Sequence, residues 1–341
     1  MAKRLVIMKD SQIGTYGVAA LIMVLGLRWA AFVALIDADM FLGGVLAAAL
    51  MSRALMVGVM QTLPNVRLMP RTTVIGAFDH GIYGAVERVS DHLGTPDPDK
   101  PRQILWRIYT KHTVLAAGAI ERPIAFENND RPGIMLGSAL RTYANRFAVA
   151  ADKRVAIFTN NDDGHRTAAD LIAKGVDVTA VIDVRSDAPK VAGTELFAGA
   201  QVVNSKGRLG LKSVQIRLAN GGVRDLPCGA LAVSGGWNPN VHLTCHQRGK
   251  PVWNEALAAF VPGGELPVGL SVTGAANGDL TTAGALKAGA GAAVQALSDL
   301  GIQAQMSDLP KAEDTSISLT PFWYVKEGKG RAWIDQQNDV T

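Results

Sequence analysis

The sequence predicts an α/β protein built from two βαβ lobes, one inserted within the other. Three observations carry that expectation. Of 341 residues, 48% are apolar, only 19% are charged and 36 are glycine, which suits parallel strands buried on both faces. The order strand, Gly-containing turn, helix, strand occurs twice, opening near Leu5 and again near Lys153. The length fits two domains of ordinary size.

The elements follow in order. Leu5–Met8 reads as a short strand, Val18 to about Arg28 as a buried helix, and Ala30–Ile36 as a strand ending in acids. From Leu63 to Leu93 the pattern alternates, as in a β-rich layer, and Gly94–Gln103 is a Pro-rich polar loop between strands. Ile104–Tyr109 and His112–Leu115 are strands that lead into the small-residue run AAGAIERP. The second unit starts with the strand KRVAIF, turns at Thr159–Gly164, continues as a helix over His165–Lys174 and returns as VDVTAVIDV. Gln201–Leu218 alternates as a hairpin, GALAVSGG is a strand running into a glycine turn, and GLSVTGAANGDL is a strand and turn before an Ala-rich helix, Thr282–Leu300. The expected domains are 1–150 with 252–310, an inserted lobe at 151–251, and a polar extension at 311–341.

Composition excludes several classes. A net charge of +4 is small for a chain of this size, and no Lys/Arg run is present to track a phosphate backbone, so no nucleic-acid partner is expected. Cys228 and Cys245 form no CxxC pair and no disulfide framework, which suits a reducing cytoplasm. The start, MAKRLVIMKD, passes directly into a strand-like run and has no signal-peptide pattern. Val18–Ile36 is apolar and near the ~20 residues of a bilayer span. A central Arg28, costing roughly 2.5–3.5 kcal/mol on insertion scales, and the acids at Asp37 and Asp39 favour a buried helix and strand over a membrane span.

A dinucleotide site needs small residues where the backbone nears the pyrophosphate, a helix N-terminus facing it, and an acid after the next strand for the ribose. The first unit supplies these in part. Gly14 and Gly17 can be the last glycines of a G-x-G-x-x-G turn whose first position is Gln12; alternatively the three positions fall on Lys9, Ser11 and Gly14. Asp37 and Asp39 stand where the ribose acid belongs. In the second unit the turn carries one glycine and places Asp162 and Asp163 where phosphates would dock, so a capped helix with no ligand is expected there. Two further strand ends carry small residues, Ala117–Gly118 and Gly274–Ala275 with Asn277–Gly278, and either can pass under a cofactor or be a tight turn alone. Trp237 can cover a cofactor face or fill the core. His242, Cys245 and His246 lack a second ligand pair, so no metal site is expected.

At VLAAGAIERPIAFENNDRPGIMLGSALRTYANRF the sequence becomes specific. Together with LPNVRLMPRTTVIGAFDHGIYGAVERVSDHL before it, KRVAIFTNND after it and GKPVWNEALAAFVPG at Gly249–Gly263, this run resembles the alpha subunit of heterotetrameric sarcosine oxidase, over roughly Leu63 to Thr341. The resemblance implies a glutathione-reductase-like arrangement of two Rossmann-like dinucleotide-binding lobes. It also implies NAD in this chain, with FAD as the other dinucleotide. FMN would lie at the contact with a beta-type flavin subunit, which holds the amine site and is joined by smaller subunits. The implied reaction is oxidation of sarcosine to glycine with hydrogen peroxide, the one-carbon unit passing to tetrahydrofolate. Two departures stand out: the family's segments before and after this region are absent, and its intact first glycine fingerprint is disrupted here. Two rival readings remain, a self-sufficient FAD-dependent amine or amino-acid oxidoreductase and a ligand-free scaffold.

Overall fold

The computed structural model describes the strand at 5–8, residue 58, residues 61–306, and within the C-terminal segment 308–309, 311–312, 314, 317–326 and 330–334. The chain divides into two compact units. The first is Met1–Ala119 with Pro239–Asn254 and Phe260–Thr315; the second is Ile120–Asn238 with Glu255–Ala259 and Ser316–Thr341. The two units alternate along the chain, with boundaries other than 150/151 and 251/252. The physical reason lies in the strand pairing described below.

In chain order the strands are β1 Leu5–Met8, β2 Val66–Met69, β3 Thr72–Phe78, β4 Ile82–Arg88, β5 Gln103–Tyr109, β6 Thr113–Leu115, β7 Ala119–Glu121 and β8 Ile134–Leu136, followed by helix α1 Gly137–Phe147. Then come β9 Arg154–Thr159, helix α2 Asp162–Ala173, β10 Asp177–Asp183, β11 Glu195–Ala198, β12 Gln201–Lys206, β13 Ser213–Arg217, β14 Val223–Pro227 and β15 Ala230–Ser234. The rest are β16 Trp237–Pro239, the single turn α3 His242–Cys245, β17 Val252–Asn254, β18 Ala259–Val261, β19 Leu270–Val272 and helix α4 Thr282–Asp299.

The first unit holds the antiparallel sheet β3-β4-β5, the parallel pair β1-β2 and the parallel pair β19-β6. The expected β-rich layer at 63–93 is therefore present, with β5 completing it after the Pro-rich loop. Val18–Arg28 and Ala30–Ile36 lie outside the described residues. Among the described residues, no helix is long and apolar enough to cross a membrane.

The second unit is a five-stranded parallel sheet, β11-β10-β9-β15-β8, with an antiparallel meander β12-β13-β14. Period-two alternation along β9 explains its layers. Ala156 and Phe158 face a core shared with Val202, Ile216 and Phe126, while Val155 and Ile157 face Leu140, Ala168 and Leu171 of the two helices. Because β8 pairs with β15, and α1 packs on the same sheet, residues 120–150 join this unit and not the first. Of the stretch expected as a C-terminal extension, residues from 316 onward belong here, with Val325 buried in the core. Helix α2 starts at Asp162, three residues before the expected His165, because the Asn161 side chain accepts from the Asp163 N–H (2.8 Å) and caps it.

Candidate functional site

Within the first unit, β6 and β19 run parallel and adjacent, Leu270 opposite Thr113 and Val272 opposite Leu115. Their C-terminal ends carry the two small-residue turns that the sequence marks 155 or more residues apart. Ala117 and Gly118 follow β6, and Gly274, Ala275, Asn277 and Gly278 follow β19, so the fold brings these six candidates to one edge. The Thr273 N–H donates to the Leu115 carbonyl (3.0 Å) and locks the two exits together.

The turns need glycine at particular places. Gly118, Gly274 and Gly278 have φ of +75°, +64° and +92°, in the left-handed region that a Cβ disfavours. A Cβ on Gly274 would meet nothing closer than the Ala285 Cβ at 4.0 Å, so the space beside this backbone is open. Asn240 organises the first turn: its side chain donates to the Ala117 carbonyl (2.8 Å) and its N–H to the Gly118 carbonyl (3.0 Å). Sequence reasoning missed Asn240, although it closes the run SGGWNPN. The buried Thr273 hydroxyl has no hydrogen-bond partner.

Helix α4 points its N-terminus from this edge. Thr281 caps it by accepting from the Gly284 N–H (3.2 Å), and the Asp314 carboxylate accepts from the Ala283 N–H (2.9 Å). An anion of the chain's own therefore sits where the helix dipole favours negative charge. Burial pushes the Asp279 carboxyl upward, against a hydrogen bond from Asn277. Gly14, Gly17, Asp37 and Asp39 lie outside the described residues.

The opposite, N-terminal ends of β6 and β19 hold a constellation the sequence did not reveal. His112 Nε2 lies 2.9 Å from Ser271 Oγ, and its Nδ1 lies 2.8 Å from Asp299 Oδ2 at the last residue of α4. It fastens the end of α4 to both strands, away from the glycine turns.

In the second unit the turn after β9 is closed by side chains. Asp183, wholly buried at the end of β10, takes His165 Nε2 (2.6 Å) on Oδ2 and Arg185 Nη2 (2.8 Å) on the same oxygen. Arg185 Nη1 reaches Asp162 Oδ1 (2.8 Å). Burial raises the Asp183 carboxyl, but the hydrogen bonds from His165 and Arg185 outweigh it and hold the group below its ordinary range. The expected helix cap at this turn is present, supplied by Asn161, and the acid at the end of β10 is paired internally with His165 and Arg185.

Glu121, also in the second unit, is 3% exposed. Its Oε2 accepts from the Ser138 N–H at the start of α1 (2.7 Å), while Oε1 has no partner. Burial pushes its carboxyl above the usual range, helped by the nearby Asp163 and opposed by Ser138 and Ser234. A raised folded pKa means the folded state binds the proton more tightly, so stability falls as pH rises from the unfolded value of about 4.3 through the folded one. Glu121→Gln keeps an acceptor for Ser138 without the charge. It should be more stable than wild type at neutral pH, and the gain should vanish in acid, read from urea denaturation at both pH values.

The alpha subunit of sarcosine oxidase from Rhizobium meliloti (strain 1021) is 38% identical over 289 residues, covering 82% of this chain and 29% of that protein. The corresponding subunit from Corynebacterium sp. (strain P-1) is 36% identical over 298 residues, covering 80% and 30%. Over four-fifths of its length, the chain is homologous to part of the sarcosine oxidase alpha subunit. It spans under a third of the length of these relatives.

Solved structures agree on the fold. L-proline dehydrogenase from P. horikoshii matches with a TM-score of 0.56 at 20% identity, over 74% of this chain and 46% of that one. Thioredoxin reductase from T. acidophilum matches at 0.53 and 13% identity, over 75% and 81%. The chain thus has the α/β dinucleotide-binding fold of these two proteins. A different likeness covers the N-terminus: the family model of CobS, cobalamin-5-phosphate synthase, matches residues 1–85. That stretch contains Gly14, Gly17, Asp37 and Asp39.

Proposed function

We propose that this chain is the dinucleotide-binding part of an alpha subunit in a sarcosine-oxidase-like complex. The observation that supports it is the juxtaposition of the Ala117–Gly118 and Gly274–Gly278 turns at the ends of two paired parallel strands, in a chain 38% identical to such a subunit. The ligand is NAD, with FAD the alternative dinucleotide. Gly274 and Gly278 let the backbone approach it, the unpartnered Thr273 hydroxyl offers a hydrogen bond, and α4 supplies N–H groups and positive potential. Gly14, Gly17, Asp37 and Asp39 complete the site on this reading. When bound, the dinucleotide supplies a hydride-accepting ring; the residues of this chain bind and orient it and exclude water.

The complex oxidises sarcosine to glycine with hydrogen peroxide, handing the one-carbon unit to tetrahydrofolate. A beta-type flavin subunit carries the amine site, FMN lies at its contact with this chain, and smaller subunits complete the assembly in the cytoplasm. Both cysteines are free thiols, which suits that compartment.

A second reading, a scaffold without ligand, is favoured by one observation: the Asp314 carboxylate already occupies an N–H of α4. Calorimetric titration of the purified chain with NAD and with FAD separates the two. One nucleotide bound per chain is the expected result, and no heat with either leaves the scaffold reading.

A further inference from the structure

Open parallel α/β sheets take ligands in the crevice outside the C-terminal ends of the strands, at the point where the strand order reverses. In the second unit that point lies between β9 and β15, because the chain leaves β9 through α2 to β10 on one side while β15 flanks the other. We propose that this crevice is a peptide socket whose ligand is the chain's own residues 317–325.

The segment makes the contacts a ligand would make, with its backbone and with the side chains of Leu319 and Trp323. The Asp162 N–H, at the start of α2, donates to the Ser318 carbonyl (3.1 Å), and the Ser318 N–H donates back to Asp162 Oδ2 (2.7 Å). Arg185 Nη1 donates to that same carbonyl (3.1 Å). Further along, the Thr320 N–H meets the Asn160 carbonyl (3.0 Å) and the Asn160 side chain returns to the Phe322 carbonyl (3.1 Å). Trp323 Nε1 donates to the Gly235 carbonyl (2.7 Å), and the Arg122 guanidinium stacks on its ring at 4.3 Å. Leu319 bridges to Asn161, and its side chain fills the space a Cβ on Gly236 would need.

The chemistry of the crevice selects a peptide over a nucleotide. Asp162 and Asp163 place carboxylates where a pyrophosphate would carry its own negative charge. The strand-end acid Asp183, which in a nucleotide site would face ribose hydroxyls, is buried under Arg185 and His165. An alternating peptide N–H and C=O satisfies both the acid and the N–H of this turn; a phosphate satisfies only the N–H. The socket anchors the polypeptide where it enters the second unit, and it does so whether or not the first unit binds a dinucleotide.

The test is hydrogen–deuterium exchange on the full chain, wild type against Ser318→Pro, which removes the N–H that Asp162 accepts. Residues 317–325 should be protected in wild type and exchange at least ~10-fold faster in the variant, with β9 and β10 unchanged. A synthetic peptide of residues 316–326 should restore protection at the start of α2, and excess NAD should leave those amides as they were. Trp323→Phe, which removes the bond to Gly235 and shrinks the ring on which Arg122 stacks, gives the same readout if Ser318→Pro does not fold. Fast exchange of 317–325 in wild type, failure of the peptide to protect, or protection of the α2 start by NAD would each overturn the proposal. The first unit reports separately through its own amides, so loss of nucleotide binding there leaves this test intact.

Discussion

Gly274→Val should weaken dinucleotide binding by roughly 100-fold, about 2.7 kcal/mol. Gly274 is buried at φ +64° with open space beside its backbone, the two conditions for a ligand to lie against the main chain. A valine at this φ carries about 1–2 kcal/mol of strain, and its branched side chain fills the space. Ala275→Leu separates occlusion from strain, because Ala275 has an ordinary negative φ and is only half-buried. That variant should keep the wild-type melting temperature and still lose affinity for NAD. A folded Gly274→Val protein that binds NAD as wild type does would remove the turn from the site.

Arg185→Met should cost about 3–5 kcal/mol of stability, because it removes the guanidinium and leaves the buried Asp183 carboxylate with only His165 and the backbone N–H of residue 185 as partners. Asp162 loses its ion pair as well, and the Ser318 carbonyl loses a donor. Arg185→Lys keeps the charge but not the planar fork that serves Asp183, Asp162 and Ser318 together, so it should fall between the two. Equilibrium urea denaturation measures the differences. The wild-type contribution has a definite pH window: Asp183 is held below its unfolded value of about 3.9, so its stabilisation is present above that pH and lost as pH falls through the folded value. An Arg185→Met protein within 1 kcal/mol of wild type at neutral pH would mean that the cluster relaxes into water.

The site was legible in pieces. Ala117–Gly118 and Gly274–Gly278 stand out in the sequence because small residues end apolar strand-like runs, and that much is local. Their adjacency was not legible, since it depends on β6 pairing with β19 across more than 150 residues. Asn240, which ties the first turn, has no local mark beyond following a glycine turn. The tail read as a polar extension because Leu319, Phe322 and Val325 follow neither a helical nor a strand period. Phe322 and Val325 nevertheless pack on the core, because the segment is held in a crevice built by other strands.

Backbone propensity and hydrophobic period, which act within a few residues, sufficed to determine the α/β class, the strand–turn–helix order of the second unit and the capped, acid-bearing turn at Thr159–Gly164. Which lobe residues 120–150 join, which acid meets Arg185 and what lies across the crevice of the second unit were decided by tertiary structure alone. Each depends on strands and side chains distant in sequence meeting in a buried setting, where an unpaired charge or backbone group costs far more than any local preference supplies.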